Sequence, residues 1–301
     1  MKRRTFIKTA LVTTATTTAA GGGAAFYAHQ IEPAWIDINT IPVQLPHLNP
    51  AFHGYRLVQI SDLHADNRWM TAQRVAQIVK LVNEQKPDLV VITGDFVTRM
   101  LPSSPKALAA LHHLQARDGT FAILGNHDHW SNPDKLRQLL QANHIHELKN
   151  AVHTIYRHNA AMLHIVGLDD LWPDPDHIEP VWQHAEMLKL LTQTIPTTGA
   201  AILLVHEPDF ADVAAANGRF DLQLSGHSHG GQVRLPFYGA LELPPLGLKY
   251  PCGMYRTGTL QHYTNRGLGM VEPQVRMNCR PEITVFVCQV ANGNGIVSLP
   301  H

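Results

Sequence analysis

Short apolar runs recur along the chain, and between them lie stretches with either helical spacing or turn residues. Regular alternation begins at Arg56-Leu57-Val58-Gln59-Ile60-Ser61 and predicts a strand that ends at Asp62. From Thr71 to Lys86 the apolar residues Val75, Ile78, Val79 and Val82 fall at helical spacing, and Pro87 stops the helix. Asp88 to Thr93 is a fully apolar strand that delivers Gly94-Asp95. The cycle repeats with a helix over Pro105 to Gln115 and a strand, Thr120 to Leu124, leading into Gly125-Asn126-His127-Asp128. Asn132-Pro133 opens a helix to about Asn143, with proline in its first turn. Met162 to Leu168 is a strand, Val181 to Thr194 a helix, and Ala200 to Val205 a strand ending on His206. Glu207-Pro208-Asp209 starts a short helix, and Leu222 to Ser225 is the strand before Gly226-His227. Two late strands, near Leu260–Thr264 and Glu282–Val290, close the sheet.

The flanks read differently. Residues 31–54 carry four prolines and predict an extended lead-in, in which Ile36, Ile38, Ile41 and Val43 could form an edge strand. Residues 234–256 are rich in proline and glycine and hold Leu235, Phe237, Tyr238, Leu241, Leu243, Leu246 and Leu248 in exposed-looking positions. Nothing suggests internal repeats or a second domain. Alternating strands and helices followed by late strands imply an α/β fold of mixed sheets with flanking helices, in one domain over about 55–301.

Composition changes this picture little. The 301 residues hold 24 basic and 24 acidic side chains, so no basic excess supports a broad electrostatic grip on nucleic acid. The three cysteines, Cys252, Cys279 and Cys288, have no metal-binding spacing and read as buried free thiols. Cys252 with Cys279 is the one pair worth testing as a disulfide. Residues 1–30 read as lying outside the fold. Lys2-Arg3-Arg4-Thr5-Phe6-Ile7-Lys8 followed by a mildly apolar run looks like a twin-arginine export signal or a membrane anchor. The expected partner is the twin-arginine export machinery. The expected location is the periplasm or, if the signal is kept, the inner membrane.

Five blocks carry the chemistry: Asp62-Leu63-His64, Gly94-Asp95, Gly125-Asn126-His127-Asp128, His206 and Gly226-His227-Ser228-His229. Together they supply carboxylates, imidazoles and an amide oxygen at strand ends, where a layered α/β fold places reactive loops. Two divalent ions about 3.5 to 4 Å apart can hold both the attacking and the leaving oxygens of a phosphoryl transfer. Such a pair needs a bridging carboxylate, for which Asp95 after its glycine turn is the natural candidate. Oxygen and nitrogen ligands together suit Mn, Fe, Zn or Co more than Ca, with Mn favoured. His127 is expected to contact a phosphate oxygen and protonate the leaving alkoxide, with Asp128 orienting its ring. The expected nucleophile is a metal-bound hydroxide. Asp66, Asp169, Asp170 and Glu207 read as surface or capping residues, and His112, His113, His144 and His146 as solvated.

These blocks, in this order over about residues 54–290, resemble the calcineurin-like metallophosphoesterase superfamily. The resemblance implies a four-layer α/β/β/α sandwich. It also implies a first metal on Asp62, His64, Asp95 and His229 and a second on Asp95, Asn126, His206 and His227. The stretch Gly226 to Pro236 and the tail Asn278 to Thr284 resemble a bacterial branch with twin-arginine or transmembrane N-termini. That branch includes phosphodiesterases and UDP-2,3-diacylglucosamine pyrophosphatases of lipid A synthesis, which implies a lipid-linked phosphoester substrate. Residues 234–256 would then contact a membrane or cradle acyl chains. Lipid A precursors lie on the cytosolic face, whereas an export signal sends the protein outward. An exported phosphomonoesterase or nucleotide phosphodiesterase therefore stays open. A metal-retaining binding protein without catalysis is the reading from another class, and the His127-Asp128 pair argues against it. A serine hydrolase would need a nucleophile elbow that the sequence lacks.

Overall fold

The computed structural model describes residues 22–291. After helical turns over residues 22–34, the strands and helices in chain order are β1 (Asp37–Leu45), β2 (Arg56–Ile60), α1 (Ala72–Glu84), β3 (Leu89–Thr93), α2 (Ser104–Leu108), β4 (Thr120–Ile123), α3 (Asn126–Ser131), α4 (Pro133–Ala142), β5 (Ile145–Glu147) and β6 (Ala151–Tyr156). They are followed by β7 (Met162–Gly167), α5 (Val181–Thr194), β8 (Ala200–Leu204), α6 (Ala211–Asn217) and β9 (Leu222–Ser225). The chain ends with β10 (Arg234–Leu235), β11 (Gly239–Ala240), β12 (Gly253–Thr257), β13 (Leu260–Thr264) and β14 (Glu282–Val290).

Two six-stranded sheets result, with orders β1-β14-β2-β3-β4-β5 and β12-β13-β9-β8-β7-β6. β2 to β5 run parallel, as do β7, β8, β9 and β13. Strand alternation explains the layering. In β2 and β3 the residues Leu57, Leu89 and Val91 face the other sheet, where they meet Ile165, Ile202, Leu204 and Leu224. Their neighbours Val58, Ile60, Val90 and Ile92 face the opposite way, onto Val75, Ile78, Val79 and Val82 of α1. Ala201, Leu203 and Val205 do the same on the second sheet, against Leu188 and Leu191 of α5 and Ala211 and Ala214 of α6. Burial on both faces makes β3 and β8 almost continuously apolar, whereas β2 and β9 keep the buried, hydrogen-bonded Gln59 and Gln223 near the site. The order helix, sheet, sheet, helix is the four-layer sandwich expected from the resemblance.

α1 begins where expected. The Thr71 side chain accepts from the Arg74 amide at 3.4 Å and satisfies a free donor of the first turn. Burying each of its four valine or isoleucine side chains contributes roughly 1.5 to 3 kcal/mol, so Val82→Asp would detach the helix. The helix expected over residues 105–115 is shorter, with α2 passing into a 3-10 turn at Ala109–His113. The candidate edge strand in the lead-in forms as β1 and pairs parallel with β14. β5, β6 and β12 were not anticipated. Each is an edge strand and largely half-buried or exposed, so the apolar pattern is diluted.

The boundary set at residue 30 needs correction. The Ala28 carbonyl accepts from the Arg276 amide at 2.9 Å, so contact with the fold begins before that point, and just after it buried Glu32 accepts from the Cys279 amide. The twin-arginine motif lies outside the described residues. Among the described residues no helix is long and apolar enough to cross a membrane. All three cysteines are free thiols, and Cys279 donates to the His229 carbonyl at 3.2 Å.

Candidate metal centre

The five sequence blocks converge at the carboxyl ends of strands from both sheets. Asp62 and His64 follow β2, Asp95 follows β3, Asn126 to Asp128 follow β4, His206 follows β8, and His227 and His229 follow β9. Hydrogen bonds stitch the two sheets together here. Gln59 Nε2 donates to the Ser225 carbonyl at 3.0 Å, and the His227 amide donates to Asp62 Oδ1 at 3.0 Å. His206 Nδ1 donates to the Thr93 carbonyl at 2.7 Å.

The backbone is strained where it turns these side chains inward. Asp62, His64, Asp95, His227 and His229 all have positive φ, between 46° and 69°. Such conformations cost a non-glycine residue about 1 to 3 kcal/mol each and persist where the surroundings enforce them. The adjoining glycines are fixed by space. A Cβ on Gly125 would stand 2.4 Å from Asp95 Oδ1, and one on Gly226 would stand 2.3 Å from Asp62 Oδ2.

Asp62, His64, Asp95 and His229 are all buried, and each offers a ligand atom within 4.8 Å of the others. Asp95 Oδ2 lies 3.4 Å from His64 Nε2 and also 3.4 Å from His206 Nε2, between the two expected ligand sets. The donor set fits cations rather than internal hydrogen bonding. His227 gives its Nε2 proton to the Pro245 carbonyl at 2.8 Å, so Nδ1 meets Asn126 Oδ1 at 3.0 Å as one acceptor facing another. His64 Nε2 and His229 Nε2 also face each other at 3.0 Å, and His229 Nδ1 has no partner. Lone pairs converging in a buried site are repulsive unless a cation lies among them.

The titration of the cluster follows from burial. Desolvation pushes His64 and His227 down to about 3 and His229 well below its ordinary value, so all three stay neutral and able to ligate. Desolvation also lifts the Asp62 carboxyl to about 7. For Asp95 burial works the same way, but the His206, His127 and His64 rings overrule it and hold the carboxyl well below the usual range. His206 is the counterpart. Burial alone would lower it, yet Asp95 and then Asp62 raise it well above 6.5.

His127 is half-buried at the mouth of the site, with its ring 5.0 Å from His64 and 4.8 Å from Trp130. Its amide donates to Asp95 Oδ1 at 3.0 Å, which holds the main chain of His127 against the candidate ligands. The role expected of Asp128 is not supported. Its oxygens accept from the Val97 and Gly125 amides, both at 3.1 Å, and it caps α3 instead of orienting the His127 ring. Burial raises this carboxyl to about 8.

Asp66 caps a turn, accepting from the amides of Arg68, Trp69 and Met70, and Asp169 pairs with His129 and Lys149. Asp170 and Glu207 are neither surface nor capping residues. Both are buried behind His206, where they accept from the Trp172 and Leu171 amides, and each keeps one oxygen without a partner. Desolvation raises both carboxyls above their ordinary range. Their positions at the ends of β7 and β8 could have signalled burial, because the ligands occupy equivalent strand ends. His112, His113, His144 and His146 are exposed, as expected.

A cleft of about 430 Å³ opens from Asp95, Asn126, His127, His227 and His229. Trp130 and Trp172 form one wall, 4.8 Å apart and edge-on, with Trp130 Nε1 donating to the Trp172 carbonyl at 2.8 Å. Leu241, Leu243, Val271, Pro273 and Val275 form the other wall. Sequence reading missed the tryptophans, although Trp130 lies three residues after His127 on one helical face.

The model of the calcineurin-like phosphoesterase family matches residues 55–231. An uncharacterised metallophosphoesterase of Bacillus subtilis, YkuE, is 34% identical over 296 residues, covering 97% of this chain and 99% of the relative. The phosphodiesterase YaeI of Escherichia coli is 30% identical over 270 residues, covering 86% and 91%. The UDP-2,3-diacylglucosamine pyrophosphatase LpxG of Chlamydia muridarum is 27% identical over 306 residues, covering 87% and 92%. With its Asp and His cluster suited to divalent metals, the chain belongs to the calcineurin-like phosphoesterase family and is a metal-dependent hydrolase of phosphate esters.

Proposed function

We propose that the protein hydrolyses a phosphodiester or pyrophosphate bond in a lipid-linked substrate, of the class represented by UDP-2,3-diacylglucosamine. The observation that carries this reading is a buried cradle of mutually facing ligand atoms opening into a cleft with one aromatic and one aliphatic wall. Asp62, His64, Asp95 and His229 would hold one divalent ion, and Asp95, Asn126, His206 and His227 a second, with Mn favoured. Such ions supply positive charge that polarises the phosphoryl oxygens and lowers the pKa of an attacking water. His127 projects from the cleft wall, where it can contact a phosphoryl oxygen and give a proton to the leaving oxygen. The edge-on rings of Trp130 and Trp172 offer an aromatic corner to a planar group, and the aliphatic wall suits acyl chains. The relatives YaeI and LpxG support the diester and pyrophosphate classes.

A second reading, an exported nucleotide phosphodiesterase, is favoured by the tryptophan pair and by the Arg3-Arg4 motif. One assay separates the two. Purified protein with Mn²⁺ is expected to hydrolyse bis-p-nitrophenyl phosphate and a UDP-diacylglucosamine analogue, the latter with the higher kcat/KM. Preference for p-nitrophenyl monophosphate would overturn the diester reading, and preference for a soluble nucleotide diester would favour the second reading. Recovery of a cleaved form in the periplasm would place the protein on the wrong side of the membrane for lipid A precursors.

A further inference from the structure

The segment between the ligand loop and the second cleft wall contains a feature that hydrolysis does not require. β10 and β11 pair antiparallel, with Arg234 opposite Ala240 and Leu235 opposite Gly239, so Pro236, Phe237 and Tyr238 form the tip of a hairpin. Phe237 is fully exposed and Tyr238 is 74% exposed, while Leu235 and Leu241 on either side are about half exposed. Phe237 also has φ 66°, a conformation that costs a side chain with a Cβ about 1 to 2 kcal/mol. No contact of its exposed ring offsets that cost.

Two placements indicate what covers the tip. Leu241 belongs both to the foot of the hairpin and to the aliphatic cleft wall, so the hairpin and the mouth of the cleft adjoin at an exposed apolar side chain. The stem also lies beside the place where the chain enters the fold. Arg234 donates its amide to the Met277 carbonyl at 2.8 Å, Met277 to the Gln232 carbonyl at 2.9 Å, and Arg276 to the Ala28 carbonyl at 2.9 Å. The residues ahead of Gly22 include Thr9 to Gly21, which has no charged side chain and follows Lys2, Arg3, Arg4 and Lys8.

We propose that the hairpin Leu235–Leu241 is a membrane-docking element that seats in the interfacial layer of a lipid bilayer and holds the mouth of the cleft against it. This deepens the lipid-linked reading above and rests on it for the identity of the substrate, though not for the docking itself. The tip carries no acidic residue, and the guanidinium of Arg234 is engaged with the Gly230 carbonyl at 2.9 Å, so adhesion is apolar rather than electrostatic. Tyrosine and phenylalanine at such a tip match the chemistry of the bilayer interface. A three-residue tip offers far less than the roughly 800 Å² per partner of a stable protein interface, whereas shallow insertion of apolar side chains gives reversible membrane binding.

The test is co-sedimentation of the full chain and of a Phe237→Ser/Tyr238→Ser variant with neutral phosphatidylcholine vesicles. Both proteins share the same N-terminus, so the difference reads the hairpin. The variant is expected to partition at least about tenfold more weakly, in keeping with the loss of two buried aromatic side chains. Its thermal midpoint and its turnover of bis-p-nitrophenyl phosphate should be unchanged, and raising the salt should not release the wild type. Equal partitioning of the two proteins would overturn the proposal. So would a change in oligomeric mass without a change in partitioning, which would assign the tip to a second copy of the chain. Vesicle binding reads the docking and soluble-diester turnover reads the chemistry, so each can fail alone.

Discussion

The ligand cradle and the hairpin at Leu235–Leu241 both hold non-glycine residues at positive φ, yet they are built in opposite ways. In the cradle the strained residues are buried, the Asp62 and His64 amides bond to the Gly94 and Asp95 carbonyls, the His227 amide crosses to the Asp62 carboxylate, and glycines at 125 and 226 leave no room for a Cβ. In the hairpin the strained Phe237 projects into solvent, and a Cβ on Gly239 would meet only Arg234, at 4.0 Å. Strain in a buried, over-determined setting fixes side chains for ligation. Strain at an exposed apolar tip displays a side chain to something outside the chain.

The sharpest way to break the comparison is at its buried end. Asp95→Asn should lower turnover of bis-p-nitrophenyl phosphate by more than about a hundredfold, beyond what loss of an outer partner of a metal ligand does. It should also lower the bound metal measured by elemental analysis, and a full metal complement would mean that Asp95 is not shared. His127→Ala is expected to reduce kcat by about a hundredfold or more while leaving the metal content intact. Loss of metal in that variant would move His127 into the ligand set.

The glycines sharpen the contrast further. Gly125→Ala should drive Asp95 from its place and weaken metal binding by roughly tenfold or more, read by titration against a metal indicator. Gly239 has φ 90° but open space around it, so Gly239→Ala should only lower stability, by about 1 kcal/mol or a few degrees of Tm, with turnover unchanged.

Between these two effects lies a pH dependence confined to the cradle. The carboxyls of Asp62 and Asp128 are raised to about 7 and about 8, and His206 is raised above its ordinary value. The folded, chelator-treated protein therefore binds more protons than the unfolded chain between about pH 6.5 and 8, so its stability should fall as pH rises across that window. Below about pH 6.5 the lowered His64 and His227 act in reverse and take stability away as pH falls. Calorimetry with and without Mn²⁺ checks this, since bound cations should flatten the high-pH decline. An unchanged decline on adding metal would dissociate these groups from cation binding.

Much of the cradle was legible because each ligand follows an apolar run long enough to be a strand, and strand ends converge in layered α/β folds. Asp62, His64, Asp95, Asn126, His206, His227 and His229 all arrive at one place. Asp128 was misread because adjacency to His127 suggested a contact, whereas the first turn of α3 sends its carboxylate back to the Val97 and Gly125 amides. Asp170 and Glu207 were misread because acidic residues near loops are mostly solvated, although both follow strands, as the residues of the cradle do. Trp130 and Trp172 come from segments about forty residues apart, and only their packing makes a wall.

The sequence by itself determined the layered α/β architecture and singled out the candidate ligand residues. Both are written in local patterns: period-two and period-3.6 burial, and short motifs placed at strand ends. Only the tertiary structure decided which carboxylates face the cradle and which are held by backbone amides, how two distant tryptophans wall a cleft, and that the apolar hairpin shares a strip with the entering chain. Those outcomes depend on contacts between residues far apart in sequence, and their energies appear only once burial has removed water from the groups involved.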